Sequence, residues 1–208
     1  MDIVSEAELE TRERILLAAK EEFLEKGYKN AWLRNISKKA GVTTGALYGY
    51  FKNKEDLFGT LVENEYHYVL NMYTEVLQEF NRIPPAERIN RTSEYTGKGM
   101  RLTGTYMYEH WDAFKLLLCH ADDTVYGHLI DDMVELDIQA TIAFSQSSID
   151  AGVSLSPVNA TLAERLSRFK LSLFFDMVTQ DLPRDQMDEY IDQLLTFYLG
   201  GWEKLWGY

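Results

Sequence analysis

Apolar residues recur at helical spacing through most of the chain, and each such run predicts one helix. Ile15, Leu16, Ala19 and Phe23 mark a first helix that Gly27 ends, with Ser5 or Thr11 as its cap; Ser5 with Glu8 also fits a capping box. Leu33 and Ile36 form the apolar side of a second, which stops at Ala40-Gly41. Thr43 or Thr44 can cap a third, from about Thr44 to Phe51. Asn53 can cap a long fourth helix whose stripe is Phe58, Val62, Tyr66, Val69, Tyr73, Val76, Leu77 and Phe80, running to about Arg82. Pro84-Pro85 breaks it and can start a fifth. A later helix is predicted from Thr124 to Ala151, with Ile130, Val134, Ile138 and Ile142 on one face. Two more follow at about Asn159–Gln180 and Asp185–Trp206. The predicted fold class is all-α. No Gly-, Pro- or Ser-rich linker separates the front from the rest, and the expected division is residues 1–53 and 54–208.

Two short helices joined by a turn containing Gly form a helix-turn-helix, whose second helix lies in the DNA major groove. Charge changes the weight of that reading. The chain carries a net charge of −12, yet from Lys26 to Lys54 it has seven Lys or Arg and no Asp or Glu. A carboxylate-free basic window in an acidic chain fits a polyanion partner better than a merely solvated helix face. Residues 1–58 net to zero, so the excess negative charge lies behind them. The candidate phosphate contacts are Lys29, Arg34, Lys38, Lys39, Lys52 and Lys54, with the hydroxyls of Tyr48 and Tyr50. Base reading falls to Thr43, Thr44, Ala46, Tyr48 and Gly49. None of these makes the bidentate contacts of Arg, Asn or Gln, so part of the specificity is expected through DNA shape.

The run from Gly27 to Phe58, GYKNAWLRNISKKAGVTTGALYGYFKNKEDLF, closely resembles the N-terminal domain of the TetR family of one-component transcriptional regulators. Ile36, Ala40-Gly41-Val42, Gly45, Leu47-Tyr48, Tyr50-Phe51, Lys54 and Leu57 carry the resemblance, and ILLAAKEEFLEKGY before them fits the family's first helix. Two positions depart from the pattern: Ala31 stands where a capping Thr is usual, and Thr44 where Lys or Arg is common. The resemblance implies a repressor that binds palindromic operator DNA as a homodimer and is released by a small-molecule effector held among its central helices. The alternative class is a helical-bundle interaction adaptor, which leaves the basic window unexplained. No arrangement of nucleophile, acid–base or metal groups points to an enzyme, and no cofactor is expected.

Within the predicted fifth helix Gly97, Gly99 and Gly104 weaken the helix, and aromatic and Met residues surround them. Tyr95, Met100, Tyr106, Met107, Trp111 and Phe114 are therefore the candidate effector pocket. The acidity of the rear domain favours a neutral or cationic effector over an anion. Near the C-terminus one helix is apolar on two sides and requires two partners. As the family does it, Leu166, Phe169, Leu173, Met177, Leu194, Tyr198 and Trp202 would form a dimer interface. His110, His120 and His128 lack metal-ligand spacing, and Cys119, the single cysteine, admits no intrachain disulfide. With no signal-peptide pattern, a cytoplasmic location is expected.

Overall fold

The computed structural model describes residues 6–207, so the predicted Ser5 cap lies outside the described residues. Among them are nine α-helices: α1 Glu6–Asn30, α2 Leu33–Lys39, α3 Thr44–Tyr50, α4 Lys54–Asn81, α5 Pro85–Glu109, α6 Trp111–Cys119, α7 Leu129–Asp150, α8 Ala160–Thr179 and α9 Met187–Trp206. None of these is long and apolar enough to cross a membrane. The backbone divides into two compact units. One runs up to Tyr66 and takes in His110–Gly127; the other holds His67–Glu109 and the chain from His128 onward. Against the expected division at residue 53, the start of α4 and the whole of α6 fall in the first unit.

In the first unit α1 supplies the packing surface. Ile15, Ala19 and Phe23 recur every four residues, so they share one face. That face is fully buried, together with Ile36, Leu47, Leu57 and Phe58. The Phe58 ring stands edge-on to Phe23 at 5.1 Å and to Tyr28 at 5.3 Å between centroids. Gly27 has φ 72°, which interrupts the helix where the sequence predicted its end. Thr11 proves to be interior to α1, its hydroxyl donating to the Ala7 carbonyl at 2.8 Å, and is not a cap. Asn53 does cap α4: its side chain accepts the Asp56 N–H at 2.8 Å, while the Asp56 carboxylate accepts the Lys52 N–H at 2.8 Å.

In the second unit α5 is unbroken, and its glycines sit where neighbouring helices come close. A Cβ at Gly104 would meet the Met187 sulfur at 2.9 Å, and one at Gly99 would crowd Val76 at 3.3 Å. These positions let neighbouring helices approach closely. The corner between α4 and α5 is closed by the buried Arg88, which donates to the carbonyls of Asn81 and Ile83 at 2.7 and 2.8 Å. The Asn81 carbonyl, the last of α4, lacks an intrahelical partner. α7 begins at Leu129, later than predicted, because Asp123 takes φ 67° and the Thr124 hydroxyl closes a turn on the Ala121 carbonyl. Its buried face is Leu129, Met133, Val134, Asp137, Phe144 and Ser148; of the predicted stripe Val134 is buried, whereas Ile142 is 59% exposed. Asn159 caps α8 by accepting the Leu162 N–H at 3.1 Å. A 3-10 turn, Arg184–Gln186, takes the place of the predicted first residues of α9.

Candidate nucleic-acid interface and ligand cavity

The turn chemistry of the helix-turn-helix is as the residues dictate. α2 closes on Ala40, Gly41 takes φ 71°, and Thr43 accepts the Ala46 N–H at 3.1 Å to cap α3. Ile36 and Leu47 are fully buried on the inner sides of α2 and α3. The hydroxyls of Ser37 and Thr44 lie 3.1 Å apart and tie the two helices together. Thr43, Ala46, Tyr48 and Gly49 are thereby left exposed, with Thr44 and Tyr50 half-buried. This outward surface is small and uncharged, bordered by a Tyr ring.

The basic residues separate into two groups. Arg34, Lys38 and Lys52 are exposed. Lys39 sits 3.8–3.9 Å from carboxylates of Glu21, Glu22 and Glu25 on α1, so its charge is already compensated. Lys29 lies 3.3 Å from Asp123. Lys54 donates to the carbonyls of Lys29 and Ala31 at 3.2 and 2.9 Å and sits over the Tyr28 ring at 4.6 Å. Burial lowers its pKa. The ammonium thus fastens the α1–α2 corner. Sequence reasoning passed over two residues here. Trp32, at the start of α2, is 70% exposed beside the basic surface. Glu22, 2% exposed, accepts the Asn35 side-chain amide at 2.9 Å and the Trp32 N–H at 3.4 Å, holding α2 from inside.

The second unit contains a cavity of about 130 Å³. Of the predicted pocket residues Tyr95 and Met100 line it. Tyr106 instead stacks on Tyr68 at 3.9 Å, and Met107 is fully buried outside the lining. Trp111 and Phe114 lie on α6 in the first unit; the choice followed proximity in sequence, which the break at His110 undoes. The walls are largely apolar, with Tyr73, Phe80, Phe144, Phe174, Tyr198 and Trp202 among their aromatic residues, and Thr92, Thr96, Thr103 and Thr141 also line the cavity. One corner is ionic. Lys170 donates to Asp137 Oδ1 at 2.6 Å, with both side chains under a tenth exposed, and the Tyr73 hydroxyl donates to the same oxygen. Burial opposes the charge on Lys170, but the Asp137 carboxylate outweighs it and holds the pKa above the ordinary range. Burial likewise opposes ionisation of Asp137; Lys170, with the Ser167 and Tyr73 hydroxyls, keeps its pKa low. Both groups therefore stay charged. The sequence signal for them was a charge inside an apolar helical stripe: Asp137 between Met133 and Phe144, and Lys170 between Leu166 and Phe174.

The predicted dimer face is also redrawn. Met177, Leu194, Tyr198 and Trp202 are at most 8% exposed within the single chain, and the last two line the cavity. Leu166 and Leu173 are half-buried. The outward apolar side is Leu162 and Phe169 on α8 with Phe197 on α9, the last 69% exposed and edge-on to Phe169 at 6.2 Å. Phe197 was missed because α9 has apolar residues on more than one side, and periodicity alone does not say which side is covered.

Comparison with known proteins decides what the first unit is. Residues 15–61 match the family described as bacterial regulatory proteins, tetR family. This segment is a TetR-family helix-turn-helix domain. Within this domain the chain is 49% identical over 53 residues to the transcriptional repressor BepR of Brucella suis, covering 26% of this chain and 25% of BepR. It is 46% identical over 54 residues to the transcriptional regulator AcrR of Shigella flexneri, again about a quarter of each. The matched segment spans only about a quarter of the length of these relatives. Solved structures extend the likeness of fold over the whole chain. FadR, a fatty acid degradation regulator of Bacillus halodurans, superimposes with a TM-score of 0.59 at 16% identity, over 91% of this chain and 98% of that one. The secondary repressor NalD of Pseudomonas aeruginosa gives 0.55 at 23% identity, over 93% and 98%. A Bacillus subtilis FadR solved with stearoyl-CoA gives 0.56 at 18% identity, over 91% and 98%. TetR-family architecture, a helix-turn-helix domain followed by a helical domain, thus describes the fold.

Proposed function

We propose that this chain is a one-component transcriptional repressor that binds a palindromic operator as a homodimer and is released by a small molecule held in the second unit. The observation that carries the reading is the capped helix α3, with its uncharged outer surface, set in a carboxylate-free basic window on a TetR-family domain. Arg34, Lys38 and Lys52, with the hydroxyls of Tyr48 and Tyr50, contact phosphates and fix the register. Thr44, Ala46, Tyr48 and Gly49 face the base edges, where Thr and Ala suit thymine methyl groups. Thr43 meets DNA only with what remains after capping. Lys54 acts through the corner it fastens.

Dimerisation uses the outward sides of α8 and α9, centred on Leu162, Phe169 and Phe197, a contiguous apolar surface rarely left in water. Two-fold symmetry then requires two half-sites. An effector releases DNA only if it binds the operator-competent state less well than the other. The cavity supports this role because α4, α5, α7, α8 and α9 all line it, so an occupant bears on every helix of the unit. The FadR of Bacillus subtilis, crystallised with stearoyl-CoA, is a regulator of like fold holding a small molecule.

The test is selection of bound sequences from random duplex DNA at moderate salt with the full chain. A recovered palindrome whose occupancy falls in the Arg34→Ala/Lys38→Ala variant is the expected result. Recovery of nothing above background from folded, helical protein overturns the reading.

A further inference from the structure

The charge of the cavity corner restricts what can bind there, and the argument rests on the reading of this cavity as the effector site. Asp137 and Lys170 are both ionised, adjacent and buried, so the corner carries a strong dipole and no net charge. A carboxylate entering the cavity would be drawn to Lys170 and repelled by Asp137 at comparable distance; an ammonium would meet the reverse. Either ion would lose its hydration among largely apolar walls with little net attraction to replace it. A neutral group that both donates and accepts matches what the corner leaves open. Asp137 Oδ1 takes both the Lys170 and Tyr73 donors, while the buried Oδ2 and the buried Ser167 hydroxyl beside it make no hydrogen bond. Lys170 has three N–H donors, of which Oδ1 takes one, and its ammonium lies 5.2 Å from the centroid of the Tyr198 ring.

Size and wall chemistry narrow the class further. The volume of about 130 Å³ compares with the engineered apolar cavity of about 150 Å³ that accepts benzene. The aromatic residues of the walls favour a flat ring through offset and edge-to-face contacts. We propose that the cavity takes an uncharged one-ring aromatic molecule bearing a single hydroxyl, a phenol-class compound, in preference to organic acids and amines of the same size. The acidity of the second unit as a whole, which pointed to cationic as well as neutral effectors, is the wrong guide. The field inside is set by one compensated pair.

Four probes of nine heavy atoms each test this by calorimetry on the full chain at neutral pH: para-ethylphenol, benzoate, para-methylbenzylammonium and para-ethyltoluene. The phenol should bind on the order of tenfold more tightly than either ion, and severalfold more tightly than the toluene through its hydrogen bond. In the Asp137→Leu/Lys170→Met variant, which removes the pair without leaving a lone charge, the toluene should still bind and the advantage of the phenol over it should vanish. If the benzoate or the ammonium binds as tightly as the phenol, the inference is overturned while the effector-cavity reading stands. If none of the four binds, both fall. If the phenol advantage persists in the double variant, the polar corner is not what selects it, and the inference fails.

Discussion

No Lys or Arg of the first unit is buried, whereas the second unit buries two, Arg88 and Lys170. Arg34, Lys38 and Lys52 stand exposed around α3, where their charge extends beyond the surface and is available to the polyanion proposed to dock there. Lys170 is 6% exposed and bonded to Asp137, so its charge is cancelled within one hydrogen bond. On the proposed reading, positive charge serves long-range attraction in one place and short-range selection in the other. Lys39 and Lys54 lie between these extremes: both belong to the basic window, yet α1 carboxylates hold one and backbone carbonyls the other. Counting cations in the sequence therefore overstates the number that can meet DNA.

The contrast can be broken most forcefully at the buried pair. Lys170→Met alone strands the Asp137 carboxylate and should cost about 3–5 kcal/mol in urea unfolding. Adding Asp137→Leu should recover most of that loss; if the double variant is no more stable than the single one, the pair is not the reason for the cost. At the exposed end, replacing Arg34, Lys38 and Lys52 together by Ala should reduce the slope of log affinity against log salt by roughly 2–3 per protomer. Lys39→Ala should leave that slope nearly unchanged, and an equal drop would place Lys39 at the DNA. Thr43→Ala removes the α3 cap and should lower stability by about 1 kcal/mol, read from the same urea curves.

The smallest expected effect concerns His120, whose backbone carbonyl accepts the Tyr28 N–H at 3.0 Å. Burial, then the charge of Lys115, lowers its pKa below that of the unfolded chain. The unfolded state therefore binds its proton first, and the contribution of this group to stability falls as pH drops below about 6.5. His120→Gln should flatten the stability profile between neutral pH and pH ~5.5. An unchanged profile would assign the slope to other groups.

Local chemistry made the first unit legible. Gly41, Thr43 and Asn53 act on neighbours within four residues, so their roles as stop and caps could be read from the chain. The all-α class and the ends of α4 and α8 came from similarly short-range signals. The cavity depends on which side of each helix meets another helix far along the sequence. Tyr95 and Met100 were found because they share the α5 surface that turns inward. Tyr198 and Trp202 were assigned to a dimer because an apolar stripe looks the same whether a cavity, a core or a second subunit covers it. Trp111 and Phe114 failed for another reason: the chain crosses into the other unit at His110, and composition carries no mark of that crossing.

The outward positions of α3 bear on how such a regulator changes over time. A Cβ at Gly49 would touch nothing, and Ala46 and Tyr48 point away from the fold, whose anchor in this helix is Leu47. If these positions read DNA as proposed, substitutions there should alter what is recognised without loosening the domain, so a duplicated copy could drift toward a new operator while remaining folded at every step. Thr43 and Thr44 do not share that liberty, since one caps the helix and the other bridges to Ser37. Divergence of operator preference should begin at residues 46, 48 and 49.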